Sequence, residues 1–217
     1  MAKSGRIYPH FCMAARALEK VGERWSLLVV RDLMLGPRRF TDLAGSLGGI
    51  TPTRLTDRLR SLETEGIVAR QPPSSGREVW YSLTPAGEDL RPVIEALVLW
   101  GMEHAFEPPR PDEPIHPDNV MLATRLWLHR NHVRPRNEVV WAWQFTDGYD
   151  YTLRFAEDVW TATRGTDDAA RLKVVASAEA WARFLTSRPP ERALSNEPIE
   201  LVGNAAAAKA FARTFKG

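Results

Sequence analysis

The sequence predicts an α+β protein in two parts, helices with a short two-stranded ribbon first and then an antiparallel sheet covered by helices. Three observations carry this. The hydrophobic period changes from helical to alternating after Gly66, residues 107–118 hold five of the 16 prolines, and alternation returns from Glu138 onward.

In the first part, Phe40, Leu43 and Leu47 give an apolar stripe to one helix, and Gly48-Gly49 make a tight turn to the next. Thr51 is placed to cap that second helix, with Pro52 at its first position. Leu55, Leu59 and Leu62 recur at i, i+4, i+7 and face a core, which leaves Thr53, Arg54, Asp57, Arg58 and Ser61 outward. Gly66 ends the helix, Ile67-Val68-Ala69 starts a strand, and Glu78 to Leu83 returns as a second strand after Pro72-Pro73-Ser74-Ser75-Gly76. Two helices and a ribbon in this order suit a winged helix. The second helix would read base edges, and Arg70, Ser75 and Arg77 beside the ribbon tip would meet phosphates. The expected DNA contacts are Arg38, Arg39, Thr41, Thr51, Thr53, Arg54, Asp57, Arg58, Arg70, Ser75 and Arg77. Taken alone, the second helix reads equally well as a solvated surface helix of a small bundle.

Residues 10–101 resemble the HxlR-type regulators, a winged-helix group akin to the MarR regulators. The resemblance rests on Cys12, on Gly22-Glu23-Arg24-Trp25 leading into Leu27 to Leu33, and on Arg39-Phe40-Thr41-Asp42-Leu43. It continues through Ile50, Leu55 to Glu63, Gly66 to Arg70, Val79 to Tyr81, Leu83-Thr84-Pro85-Ala86-Gly87 and the helix of Trp100. It implies a dimeric transcription factor, a repressor, on a near-palindromic double-stranded DNA operator. It also implies that Cys12 is a candidate thiol sensor, with His10 and Arg16 nearby as cations able to favour thiolate. The opposing reading is a small buried apolar side chain.

Composition sets bounds. With 29 basic and 27 acidic residues the net charge is +2, which excludes a histone-like electrostatic binder. Positive charge is local, with seven arginines against four acids between Gly36 and Arg77. One cysteine excludes an internal disulfide, and neither a signal-peptide pattern nor a spanning apolar run occurs, so a cytoplasmic location without membrane contact is expected. The division expected is a DNA-binding and dimerising domain over 1–106, a stiff proline-rich linker over 107–119, and a second domain over 120–217.

That second domain opens on a helix from Met121. Val139, Trp141, Trp143 and Phe145 alternate along one strand, Asp147-Gly148 turns, and Tyr151, Leu153 and Phe155 alternate along the next. Further strands are expected at Val159 to Thr163, Leu172 to Ala176 and Ile199 to Val202. Helices are expected from Ala178 and from Asn204, the last carrying Phe211 and Phe215 one turn apart. The order over residues 137–217, with the ending Glu200-Leu201-Val202-Gly203-Asn204, resembles the sterol-carrier-protein-like fold. That resemblance implies an apolar tunnel for a fatty acyl or similar ligand. Trp141, Trp143 and Tyr151 on the sheet and Phe184, Phe211 and Phe215 on the helices would line it. Bulky aromatics equally well fill a core.

An enzyme is not expected. No nucleophile elbow, phosphate loop, dinucleotide fingerprint or zinc-spaced cysteine pair occurs, and no catalytic residue, metal ligand or cofactor is assigned. His129 and His132 could share a helix face but lack a carboxylate partner. Three alternatives stay open: a thiol sensor through Cys12 with a purely structural C-terminal domain, an acyl-handling enzyme or lipid carrier in the C-terminal half, and an interaction protein whose winged helix binds other proteins, in which Arg54 and Arg58 could be neutralised without losing operator binding.

Overall fold

Beyond its first seven residues the chain enters two short helices, α1 (Met13–Val21) and α2 (Ser26–Leu33). The computed structural model describes residues 8–71, 78–105, 107–187 and 194–215. Gly22 caps the end of α1, its amide donating to the Leu18 carbonyl, and a side chain there would collide with that carbonyl, 2.4 Å from an added Cβ. Next come β1 (Arg38–Arg39), α3 (Phe40–Leu47) and α4 (Pro52–Thr64). The ribbon β2 (Val68–Gln71) and β3 (Trp80–Leu83) leads to α5 (Pro85–Glu88) and α6 (Arg91–His104). The stop signal of α4 acts as the sequence suggests, since Gly66 takes a left-handed φ of 70° that a residue with a Cβ resists. The core of this part is Val29, Val30 and Leu33 of α2, Leu43 and Leu47 of α3, and Leu55, Leu59 and Leu62 of α4.

The chain then continues through α7 (Pro117–Arg130), β4 (Val139–Phe145), β5 (Asp150–Ala156), β6 (Val159–Arg164), β7 (Leu172–Ala176), α8 (Ala178–Thr186), β8 (Glu200–Gly203) and α9 (Ala205–Phe215). It divides into two compact units between Ile94 and Glu95. Residues 117–119, expected in the linker, form the first turn of α7, with His116 Nδ1 accepting from the Asp118 amide at 3.4 Å. His132 lies beyond the end of α7 with φ 51°, so it shares no helix face with His129.

The five-stranded sheet has the order β6-β5-β4-β7-β8 and is mixed, not antiparallel as expected, because β7 runs parallel to β4. The connection explains this. After β6 the chain does not turn back in a hairpin. Residues 165–171 cross the sheet face opposite the helices, where Thr152 Oγ1 donates to the Gly165 carbonyl (2.9 Å) and Arg154 pairs with Asp167 (2.5 Å). A crossover of this kind delivers the next strand in the same direction. It also buries Ala142 and Thr152 on the face that alternation alone would leave to solvent.

The other face carries an aromatic core. Trp141 stacks on Trp160 (5.2 Å between centroids) and meets Phe211 (4.9 Å), Trp143 meets Trp181 (5.4 Å), and Phe211 meets Phe215 (4.9 Å). Trp160 Nε1 donates to the Val133 carbonyl and Trp181 Nε1 to Thr124 Oγ1, each at 2.8 Å, but Trp143 Nε1 is buried without a partner among the described residues. An orphaned donor costs about 1–3 kcal/mol. Burying some 200 Å² of indole gains about 5 kcal/mol, so the ring stays inside. At one end of the sheet Asp118, 4% exposed, accepts from Tyr151 Oη (2.7 Å) and from Arg164 Nε and Nη2 (3.0 and 2.6 Å). Burial, then the Asp118 charge, pushes the Tyr151 phenol well above its ordinary range, so it remains a donor. This network pins the start of α7 to β5 and β6.

Candidate nucleic-acid interface

The local sequence of α4 sets the first feature of the site. Thr51 Oγ1 accepts from the Arg54 amide at 3.4 Å, Pro52 follows in the first turn, and Leu55, Leu59 and Leu62 are buried against the rest of the unit. That anchorage turns Thr53, Arg54 and Asp57 outward, where all three are exposed. Arg54 forms no ion pair among the described residues, so its guanidinium is available to an anion.

Arg58 is held differently. Its side chain is only 18% exposed, its Nη1 donates to Ser26 Oγ (3.4 Å), and its Nη2 lies 3.9 Å from Glu23. Glu23, Arg24 and Trp25, from the turn between α1 and α2, stand with Arg54, Asp57 and Arg58 around an open polar hollow of about 300 Å³. Sequence reasoning did not place that turn beside α4. Periodicity describes which face of a helix is inward, not which loop lies against its end.

Arg38 corrects an expectation. In β1, paired with Tyr81 of β3, its side chain turns inward to 2% exposure, and its Nε donates to the Asp32 carbonyl at 3.2 Å. A buried guanidinium bracing a carbonyl offers nothing to a phosphate. Arg39 is half-exposed but matched by two carboxylates, Asp42 (3.2 Å) and Glu78 (3.0 Å), and it lies over the Trp80 ring at 5.6 Å. Hydrogen bonds to Asp42 and then Glu78 hold it above the ordinary guanidinium range. For Asp42, burial alone would raise the carboxyl, but the hydrogen bonds and charge of Arg39 together keep it below the ordinary carboxylate range. Thr41 is exposed on the first turn of α3, and Arg70 is exposed on β2 without an ion pair among the described residues. Ser75 and Arg77 lie outside the described residues.

The remaining expected positions fall elsewhere. Cys12 is half-buried just before α1, and of the two cations expected beside it, His10 and Arg16, Arg16 is engaged, paired to Glu19 at 3.1 Å. Trp141, Trp143, Phe184, Phe211 and Phe215 interlock in the aromatic core, and Tyr151 donates to Asp118, so these six fill the interior rather than line a tunnel. An apolar hollow of about 190 Å³ lies instead among Met102, Val120, Ala123, Trp127, Ala182 and Leu185. Among the described residues no helix is long and apolar enough to cross a membrane, and no group of three metal-ligating side chains occurs.

A helix braced by a second helix and followed by a ribbon, with its first turn exposed, defines a winged helix-turn-helix. The sequence profile of the HxlR-like helix-turn-helix family matches residues 20–108. An uncharacterized HTH-type transcriptional regulator of Mycobacterium tuberculosis is 49% identical over 100 residues, which are 46% of this chain and 61% of that protein. Another from Synechocystis is 39% identical over 95 residues, covering 43% of this chain and 70% of its own length. Among solved structures, the reduced form of the transcriptional regulator YodB from B. subtilis is similar at 31% identity with a TM-score of 0.39, over 44% of this chain and 95% of that one. This chain belongs to the HxlR-like helix-turn-helix family through its N-terminal part. It spans 61% of the length of its mycobacterial relatives.

Proposed function

We propose that this protein is a cytoplasmic DNA-binding transcriptional regulator, a homodimeric repressor whose two α4 helices enter successive major grooves of a near-palindromic operator. The observation that carries the reading is α4 itself, locked from behind by three buried leucines while Thr53, Arg54 and Asp57 face outward, Arg54 with no ion pair among the described residues. Family membership supports the same reading. Val93, Leu97 and Trp100 form an exposed apolar stripe at i, i+4, i+7 of α6, and Phe11, Met13 and Leu18 expose a second apolar surface at α1. Such surfaces suit a two-fold interface. DNA binding and dimerisation are assigned to the chain through α6, whose residues from Glu95 onward belong to the second compact unit, and the part from α7 onward is assigned an accessory role, with a sterol-carrier-protein-like element order. Any apolar effector of that unit belongs in the hollow beside Trp127, because the space between sheet and helices is occupied by rings.

The test is selection of a preferred duplex from a random library, followed by binding at fixed salt. Arg54→Ala should cost about 1–3 kcal/mol, roughly 5- to 150-fold, if it makes a bidentate base contact. Arg58→Ala should cost less on direct contact and act by loosening the turn at Ser26. Parental affinity in both variants would refute the assignment of α4 as the reading helix.

A further inference from the structure

The hollow beside α4 points to a contact that neither the expected set nor the family match names. We propose that Arg24 grips a DNA backbone phosphate next to the groove that α4 enters. The proposal rests on the DNA-reading role of α4 and extends its surface to the turn between α1 and α2.

Three observations carry it. Arg24 is exposed and forms no ion pair among the described residues. Its guanidinium lies over the ring of Trp25, 5.3 Å from the centroid, and this stacking gives direction to a side chain that would otherwise wander. The turn is also fastened to α4 at this place, since Arg58 of α4 donates to Ser26 Oγ and approaches Glu23. Arg24 therefore stands beside α4 as part of one surface, not as a loose tether.

Charge decides the occupant. Around the hollow are three guanidinium groups, Arg24, Arg54 and Arg58, and two carboxylates, Glu23 and Asp57. Glu23 leans toward Arg58, which leaves Arg24 and Arg54 as the cations of the hollow that form no ion pair among the described residues. The walls are polar and the site is open, so it suits a charged group in contact with water rather than an apolar ligand. A phosphate on the rim of the groove meets that description, and contacts of this kind fix register without reading sequence.

The experiment uses the full chain and its selected duplex, with affinity measured by fluorescence anisotropy across salt concentrations. Each phosphate neutralised on duplex DNA contributes about 0.9 to the slope of log K against log salt. Arg24→Gln should reduce the slope by about 0.9 and weaken binding by roughly 8-fold at 0.1 M salt, equally on preferred and mismatched duplexes. Arg24→Lys should keep most of the slope. The thermal midpoint should not move, because the side chain is exposed. An unchanged slope and affinity in Arg24→Gln, with Arg54→Ala still weakened, would overturn the Arg24 contact and leave the reading helix standing. A loss confined to particular base pairs would overturn it in favour of base reading by Arg24. If Arg54→Ala and Arg58→Ala are also silent, the DNA-reading role itself falls.

Discussion

Leu97 stands in the middle of the exposed stripe on α6 and retains 52% of its surface in contact with solvent. Full burial of a leucine is worth about 1.5–3 kcal/mol, so covering the remaining half in a dimer gains about 1 kcal/mol per copy. A two-fold interface counts every substitution twice, so Leu97→Ala should weaken the dimer by about 2 kcal/mol, roughly 30-fold in dissociation constant. Leu97→Glu should do more, because each dimer would have to desolvate two carboxylates without partners. Sedimentation equilibrium at micromolar concentration should show a dimeric parent, a weakened Leu97→Ala dimer and a monomeric Leu97→Glu chain. The monomer should also bind DNA far more weakly, since a single α4 reaches only one half-site. A monomeric parent, or a Leu97→Glu chain that dimerises like the parent, would show that this stripe is not the interface.

The start of α3 should respond to acid. Asp42 accepts from the Arg39 amide at 3.1 Å and has a lowered carboxyl pKa, so its stabilisation is complete above the unfolded value near 4 and is lost as pH falls through the lower folded value. Urea unfolding should find Asp42→Asn about 1 kcal/mol less stable than the parent at pH 7, with the gap closing in strong acid; a gap that persists there would count against the cap. Beside Trp127 of α7, the 190 Å³ hollow is somewhat larger than a 150 Å³ apolar cavity known to hold benzene. Toluene should therefore give saturation-transfer NMR signals with the parent and lose them in Ala123→Leu without a fall in thermal midpoint. Equal signals from both proteins would remove this site.

Much of the molecule was legible without a fold. The leucines of α4, the cap at Thr51, the stop at Gly66 and the alternation of Trp141, Trp143 and Phe145 are local signals, because the helical and extended periods choose which side chains share a face. The strands and helices of the second unit lie within a few residues of where the sequence places them. Three matters needed the tertiary structure. Arg38 and Arg39 are neighbours with the same charge, yet pairing of β1 with β3 sends one inward to the Asp32 carbonyl and leaves the other between two carboxylates. The direction of β7 depends on a crossing segment with no period of its own, so alternation located the strand but not its parallel pairing with β4. The aromatic residues announced a buried layer, but whether that layer is a tunnel or a core depends on distances between rings brought together from β4, α8 and α9. Local periodicity determines faces, whereas the partners on those faces are set by contacts between residues far apart in the chain, and the availability of each charged or apolar group follows from those partners.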